Sequence, residues 1–245
     1  MRLVALAAAV LLLVAPGCGG EGEDTGSGAS AATVFAAASL TEVFQELAPD
    51  ARFNFAGSDE LALQIAEGAP ADVYAAASPK YPDELYDAGL VEEPQIFATN
   101  ELALIVPADN PAGIDSVSDL REPEVKLVLG AEGVPVGDYT RTVLEKMGES
   151  DVLENVVSNE DDVKAVVAKV AQGEADAGFV YVTDAGPVEG QVQTIELPED
   201  AQAQVEYPIA VVSEAENPEA AQAFVDLVLS ERGREALEAA GFGVP

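Results

Sequence analysis

The stretch Thr33–Leu47, TVFAAASLTEVFQEL, contains the pattern that decides the fold. It begins with an unbroken run of apolar and small residues, which is typical of a strand buried on both faces. Apolar residues then recur at i, i+3, i+4 and i+7, as Leu40, Val43, Phe44 and Leu47, which predicts a helix with one apolar face. A strand followed directly by a helix is the repeating unit of α/β folds.

The same alternation continues along the chain. Further strands are predicted at 52–56, 72–77, 102–106, 126–130, 177–182 and 205–212, and helices at 59–67, 139–147, 163–170, 218–230 and 233–240. We therefore expect an α/β fold with largely parallel sheets.

The composition excludes several classes of function. The 245 residues include 45 acidic and 11 basic side chains, for a formal net charge of −34, with one cysteine and no histidine. So acidic a chain repels nucleic acid. Without histidine there is no Ser-His-Asp triad, and one cysteine forms no internal disulfide. Paired carboxylates, or a divalent cation held by oxygen ligands, remain open as rival chemistries.

The N-terminus predicts export. A basic residue, Arg2, precedes an apolar run at 3–16 that is too short to span a bilayer, which is typical of a signal peptide over 1–17. Cys18 follows directly, and 18–32 is a flexible tether rich in Gly, Ser and acidic residues. This order resembles a bacterial lipoprotein, which implies lipidation of Cys18 and an extracytoplasmic location. An ordinary secreted protein with an incidental cysteine is the alternative.

Several predicted helices begin with small polar residues. Ser39-Leu40-Thr41-Glu42 fits a capping box, Ser58 begins the second helix, and Ser158-Asn159-Glu160 precedes the helix that contains Val163. Helix N-termini offer unpaired N–H groups, so several of them at one cleft would bind an anion without Lys or Arg. Plain helix capping is the alternative interpretation.

At these residues the sequence resembles the molybdate-binding proteins of ATP-driven importers. The similar segments occur in the family's order, namely VFAAASLT, FAGS with LALQIAEGAPADVYAAAS, VPVGDY, EDDVKA with AGFVY, and VEYPIAVV. The resemblance extends from about Thr33 to Gly241-Phe242.

The resemblance implies a two-lobed type II periplasmic binding fold. Each lobe would be a mostly parallel sheet flanked by helices, and two crossover strands, near 101–106 and 205–209, would join the lobes. We expect lobe I at 33–101 with 207–245, and lobe II at 102–206.

The resemblance also implies a ligand set and a role. Molybdate or tungstate would be bound between the lobes by hydroxyl and backbone N–H donors of Ser39 and Ser58, backbone N–H groups of Val136 and Val163, and the phenol of Tyr181. No cofactor, no catalysis and no metal other than the molybdenum of the oxyanion are expected. The partner would be the membrane permease of an ABC importer, and the protein a monomer that meets the membrane only through its lipid anchor.

Asp59-Glu60 departs from the family pattern, which has neutral residues there. Beside a bound dianion these carboxylates would repel it, so we expect both to face solvent. An inward Asp59 would instead favour phosphate, because monohydrogen phosphate carries a proton that needs an acceptor.

Three further interpretations stay open. The ligand could be sulfate, the protein could be a carboxylate-based hydrolase using Asp59-Glu60 or Asp161-Asp162, or it could be a surface lipoprotein without a ligand. Neighbouring residues in a helix point about 100° apart, which argues against the hydrolase.

Overall fold

The computed structural model describes residues 32–245. The predicted signal peptide, Cys18 and nearly all of the predicted tether therefore lie outside the described residues. Ala32, the last residue of the predicted tether, is buried, and its carbonyl oxygen accepts a hydrogen bond from the Arg52 N–H at 3.1 Å. The packed part of the chain thus includes Ala32, one residue before the predicted start.

The strands of the described residues form two five-stranded sheets. The first contains β1 (Thr33–Ala37), β2 (Arg52–Ala56), β3 (Val73–Ala75), β4 (Gln95–Asn100) and β10 (Val205–Val211), in the order β2-β1-β3-β10-β4. The second contains β5 (Leu102–Pro107), β6 (Leu127–Gly130), β7 (Val156–Glu160), β8 (Ala177–Tyr181) and β9 (Val192–Glu196), in the order β7-β6-β8-β5-β9. We call the parts of the chain built on these sheets lobe 1 and lobe 2.

Each sheet has one reversed strand. In lobe 1, β1 pairs in parallel with β2 and β3, and β10 is antiparallel to both β3 and β4. In lobe 2, β6 pairs in parallel with β7 and β8, and β5 is antiparallel to both β8 and β9. The other strands of each sheet consequently run in one direction. The predicted α/β fold with two mostly parallel sheets is confirmed, with the addition of this reversed strand.

Helices flank the sheets. They are α1 (Thr41–Leu47), α2 (Ser58–Ala66), α3 (Lys80–Asp87), α4 (Pro135–Met147), α5 (Val163–Ala171), α6 (Val182–Ala185), α7 (Pro218–Leu229) and α8 (Glu231–Ala239). The predicted apolar face of the first helix is correct, because Val43, Phe44 and Leu47 are all buried.

At two helices the residues that precede or cap the first turn differ from those expected. Ser39 lies in a 3₁₀ turn, Ala38–Leu40, and α1 begins after it with Leu40 as N-cap and no capping side chain, so the capping box is absent. Helix α5 is capped by Asp162, whose carboxylate accepts the N–H of Ala165 at 2.9 Å. The residues Ser158–Glu160, expected to lead into α5, instead end strand β7.

The chain passes between the lobes twice. It leaves lobe 1 at Glu101, the single residue between β4 and β5, and it returns between the end of β9 and the start of β10. These two passages lie side by side, because Val205 pairs with Asn100. The cleft between the lobes is therefore bounded on one side by these two segments.

The helices within residues 32–245 are too short or too polar for any of them to cross a membrane.

Candidate functional site

A small cavity lies between the lobes. The cavity volume is about 20 Å³. On the same scale one water molecule needs about 10–15 Å³. The cavity therefore has room for a compact inorganic ion and is too small for a sugar or a peptide. Both lobes contribute to its wall, which consists of Ala37, Ala38, Ser39, Ala56, Gly57, Ser58, Ala77, Val134, Pro135, Val136, Asp162, Val163 and Tyr181.

The structure brings all five predicted ligand residues to this one wall. Ser58 is the first residue of α2, Val136 the second of α4, and Val163 the first of α5. Ser39 lies in the 3₁₀ turn before α1, and Tyr181 ends β8. The first-turn N–H groups of a helix have no partner within the helix, and its N-terminus carries a positive partial charge. The cavity is thus surrounded by donors from both lobes.

The two serines are held by hydrogen bonds from behind the wall. Ser58 Oγ accepts the backbone N–H of Ala77 at 3.1 Å, and the Ser58 carbonyl oxygen accepts the hydroxyl of Tyr74 at 2.7 Å. Ser39 Oγ lies 3.0 Å from the hydroxyl of Tyr207 on β10. Both serines are almost fully buried, so these bonds replace their contacts with water.

Tyr181 differs from the serines because its hydroxyl is unpartnered. The side chain is buried, and its oxygen has no hydrogen-bond partner within residues 32–245. Burial raises the pKa of the Tyr181 phenol well above its usual value, so the group keeps its proton. A buried hydroxyl without a partner is costly, by about 1–3 kcal/mol. Its position on the cavity wall makes it a donor available to a bound molecule.

The wall carries no Lys or Arg, and its one charged side chain in the described part of the chain is Asp162. That carboxylate is already engaged as the N-cap of α5. Sequence reasoning named Asp162 only as half of a rival carboxylate pair; its preference for the N-cap position was the signal for its actual role. Neither Asp59 nor Glu60 lines the cavity, so the structure does not bring these two carboxylates together with Asp162 on the wall.

The expectation for Asp59 is wrong, whereas that for Glu60 is correct. Glu60 is exposed and accepts a hydrogen bond from Gln64 at 2.9 Å. Asp59 is only partly exposed, and its Oδ1 is buried without a hydrogen-bond partner in the described chain. Burial, opposed by the nearby backbone N–H groups of Asp59 and Glu60, raises the pKa of Asp59, and the charges of Asp138 and Asp161 add to the rise. Asp59 Oδ1 lies close to Gly57, 2.7 Å from the position that a Cβ atom of that residue would occupy.

The lobes touch on two sides of the cavity. On one side the Tyr81 hydroxyl donates to the Gly133 carbonyl oxygen, and Lys80 Nζ lies 3.9 Å from an oxygen of Asp138. Elsewhere Lys164 Nζ of lobe 2 lies 2.7 Å from Glu42 Oε2 of lobe 1. The lobes are therefore closed over the cavity.

No group of three or more His, Cys, Asp or Glu side chains in residues 32–245 is arranged to hold a metal ion.

A family model described as bacterial extracellular solute-binding protein matches residues 32–243. The chain belongs to the bacterial extracellular solute-binding proteins. Among the curated relatives of this solute-binding protein, the molybdate-binding protein ModA of Mycobacterium tuberculosis H37Rv is 39% identical over 228 residues, which cover 89% of this chain and 86% of that protein. The molybdate-binding protein ModA of Escherichia coli K12 is 33% identical, with 86% and 88% covered. The predicted membership among the relatives of molybdate-binding proteins is confirmed.

A third relative is named a putative ABC transporter substrate-binding lipoprotein, YvgL of Bacillus subtilis. It is 29% identical to this solute-binding protein, and the match covers 97% of this chain and 96% of that protein.

Solved structures show the same fold. The periplasmic molybdate-binding protein of Azotobacter vinelandii matches with a TM-score of 0.78 at 19% identity, covering 88% of this chain and 100% of that chain. The substrate-binding domain of a putative molybdenum ABC transporter from Clostridium difficile matches at 30% identity with a TM-score of 0.62, covering 87% and 98%. The sulfate-binding protein SubI of M. tuberculosis matches at 20% with a TM-score of 0.72, covering 86% and 85%. The fold alone therefore does not distinguish one oxyanion from another.

Proposed function

We propose that this solute-binding protein captures molybdate, and the similarly sized tungstate, in the cavity between its lobes. The observation that carries the proposal is the buried hydroxyl of Tyr181, which has no hydrogen-bond partner within residues 32–245, on a wall to which that part of the chain contributes no Lys or Arg. A full set of neutral donors suits a ligand that only accepts hydrogen bonds. The names of the relatives in M. tuberculosis and E. coli support molybdate as that ligand.

The proposed ligands are the hydroxyl and backbone N–H groups of Ser39 and Ser58, the backbone N–H groups of Val136 and Val163, and the phenol of Tyr181. Two of the five belong to lobe 1 and three to lobe 2. The anion would therefore link the lobes, and its release would require them to separate. Hydrogen bonds to a charged group contribute about 1.5–3 kcal/mol each.

Monohydrogen phosphate and sulfate are the competing oxyanions. Sulfate, like molybdate, is fully deprotonated near neutral pH, so we expect the protein to separate the two by size. Phosphate needs an acceptor for its proton, and Asp162 on the wall has a carboxylate that could accept it. Phosphate is therefore the second candidate ligand.

Calorimetric titration of the protein with molybdate, tungstate, sulfate and phosphate tests the proposal. We expect heat from molybdate and tungstate, at micromolar or lower concentration. Ser58→Ala should weaken the affinity for molybdate, whereas Ser118→Ala, which removes an exposed hydroxyl elsewhere in lobe 2, should not. Heat from phosphate with none from molybdate would contradict the proposal.

We propose that the loaded protein delivers the anion to the permease of an ABC importer and acts as a monomer outside the cytoplasmic membrane. The proposed division is 33–101 with 205–245 for one lobe and 102–204 for the other, because the whole of β10, from Val205, lies in the sheet of lobe 1. We further propose that Cys18 is lipidated after removal of 1–17, which the lipoprotein name of the B. subtilis relative supports. Mass spectrometry of the N-terminal peptide tests this: a peptide starting at Cys18 with two or three acyl chains is expected, and an unmodified cysteine would contradict it.

We propose that the protein is not an enzyme. The carboxylate pairs considered as rivals do not converge on the cavity: Glu60 is exposed, and Asp162 caps α5. Bound molybdate should be recovered chemically unchanged after denaturation of the protein.

A further inference from the structure

A chain of hydrogen bonds runs behind Ser39, from the cavity wall to the point where the backbone passes between the lobes. Ser39 Oγ lies 3.0 Å from the hydroxyl of Tyr207, and that hydroxyl lies 3.3 Å from Nδ2 of Asn100. Asn100 ends β4, directly before the crossing residue Glu101. These three side chains are all buried, so water does not compete for their hydrogen bonds.

The direction of every bond in this chain follows from Asn100. The backbone N–H of Glu101 donates to Asn100 Oδ1 at 2.9 Å, which identifies the oxygen end of the amide. Nδ2 has two protons, one for Thr183 Oγ1 at 2.9 Å and one for the Tyr207 oxygen. An amide nitrogen accepts no hydrogen bond. Within residues 32–245 the Tyr207 proton therefore has one acceptor, Ser39 Oγ.

The Tyr207 phenol is well suited to donate. Burial raises its pKa far above the usual value, so it holds its proton. Its ring is fixed by edge-to-face contacts with Phe242 at a centroid distance of 5.4 Å and with Tyr181 at 6.0 Å. The hydroxyl is thus held in place by packing as well as by hydrogen bonds.

Ser58 shows the same arrangement in a simpler form. Its Oγ accepts a backbone N–H, that of Ala77, which is only ever a donor. The proton of Ser58 is consequently free for the cavity whatever surrounds it. At Ser39 the partner is a hydroxyl, which can donate or accept, so a further group is needed to fix the direction.

We propose that Asn100 and Tyr207 are positioning residues that make Ser39 a hydrogen-bond donor toward the anion. Asn100 directs the Tyr207 proton to Ser39 Oγ, and the Ser39 proton then points into the cavity. This arrangement disfavours ligands that must donate a proton themselves, and so it adds to the selection of fully deprotonated oxyanions. The inference rests on the proposed function of the cavity.

A double-mutant cycle tests the route through Ser39. Tyr207→Phe keeps the ring and removes the hydroxyl; we expect it to weaken molybdate binding by about two- to tenfold, the effect of one neutral hydrogen bond. In the Ser39→Ala background, where the serine hydroxyl is already absent, Tyr207→Phe should cause no further loss. Equal losses in both backgrounds would overturn the inference, because the tyrosine would then act through packing.

Reversal of the chain gives a sharper test. Asn100→Asp has nearly the same shape, but its carboxylate accepts the Tyr207 proton, so Ser39 must donate to Tyr207 and presents only lone pairs to the anion. We expect at least a hundredfold loss of molybdate affinity. Part of this loss comes from the added negative charge. The double variant Asn100→Asp/Tyr207→Phe is the control for that charge, because it keeps the carboxylate and removes the hydroxyl that forms the reversed bond. The double variant should bind molybdate more tightly than Asn100→Asp alone.

Selectivity supplies a readout that does not require the aspartate variants to fold. The ratio of molybdate to phosphate affinity should fall in Tyr207→Phe, because the Ser39 oxygen can then accept the phosphate proton. If Tyr207→Phe changes neither this ratio nor the affinity for molybdate, the inference about Asn100 and Tyr207 is overturned while the proposed function stands. A wild-type protein that binds no molybdate would overturn the proposed function and this inference together.

Discussion

Lys164 Nζ lies 2.7 Å from Glu42 Oε2, and this ion pair joins the two lobes beside the cavity. Glu42 belongs to α1, which follows the turn of Ser39, and Lys164 follows Val163 at the start of α5. The same ammonium group lies 3.0 Å from Oδ1 of the fully buried Asp184 in its own lobe. Lys164 is therefore held by Asp184 and reaches across the cleft to Glu42.

Loss of the Glu42 carboxylate should weaken molybdate binding without any change in the proposed ligands. Glu42→Gln removes an ion pair that exists only while the lobes are closed, so closure becomes less favourable. Half-exposed ion pairs of this kind contribute about 0.2–1 kcal/mol, which predicts an increase in Kd of about one-and-a-half- to fivefold. Stopped-flow measurement should assign the change to faster dissociation.

The matched control for this variant is Asp151→Asn. Asp151 has a similar exposure and pairs with Arg121 at 2.8 Å, but both residues belong to lobe 2. Its removal should leave molybdate binding unchanged. If Asp151→Asn weakens binding as much as Glu42→Gln does, a general change of surface charge is the cause and the closure argument fails.

A methyl group at Gly57 should hold the lobes apart. Gly57 is the N-cap of α2, and a Cβ atom there would overlap the backbone carbonyl oxygen of Asp161 in lobe 2. Gly57→Ala should therefore lower molybdate affinity at least tenfold, while the melting temperature of the ligand-free protein changes little. Small-angle scattering should show that molybdate no longer compacts the protein. Gly186→Ala, at a glycine with open space around it, is the control.

Removal of the Tyr181 hydroxyl should have opposite effects on binding and on stability. The hydroxyl is buried without a partner in residues 32–245, so Tyr181→Phe should leave the ligand-free protein equally or more stable. The same variant should lose about ten- to a hundredfold in molybdate affinity, since it removes a hydrogen bond to a charged ligand. Thermal unfolding with and without molybdate measures both effects. Lower stability without ligand would indicate a structural role instead; the exposed Tyr86→Phe serves as control.

Asp184 should make folding depend on pH in an unusual direction. Burial raises its pKa to about 6, against the opposing charge of Lys164. The folded protein therefore keeps this proton at pH values where the unfolded chain, with a pKa of 3.8, has lost it. The resulting stability is complete below pH 3.8 and is lost as the pH rises through about 6.

Comparison with Asp184→Asn isolates this contribution from the many other carboxylates. The free energy of unfolding of the wild type, minus that of the variant, should fall by roughly 1 kcal/mol between pH 5 and pH 7.5. Urea unfolding at the two pH values measures the difference. A difference that stays constant, or that grows with pH, would show that Asp184 is not held in its neutral form by burial.

The central strands were predictable, and several outer elements were not. Strands β1, β5 and β8 are buried along almost their whole length, so their apolar runs are plain in the sequence. The three unpredicted strands, β4, β7 and β9, all lie at sheet edges, where exposed polar residues interrupt the pattern. Helix α3 was missed for a similar reason, because only Pro82 and Leu85 of its residues are buried.

The sequence predicted which residues line the candidate site, but it did not predict the hydrogen bonds that these residues make. Helix starts with small residues indicated an anion site, and the resemblance selected Ser39, Ser58, Val136, Val163 and Tyr181, which all line one cavity. Local pattern led to a wrong role for Ser39, since its hydroxyl meets Tyr207, a partner 168 positions away, and not a neighbouring N–H group. The same limit applied to Asp59, whose burial depends on contacts outside α2.

By itself the sequence determined the α/β alternation, the acidic surface, the absence of histidine chemistry and the family resemblance, because these depend on composition and on patterns repeated over a few residues. Only the tertiary structure decided which groups meet: the Glu42–Lys164 pair across the cleft, the Tyr181 hydroxyl that has no partner within residues 32–245, and the contacts that connect Asn100, Tyr207 and Ser39. Hydrogen bonds and ion pairs act over about 3–4 Å, and folding brings such partners together from positions that local sequence does not connect.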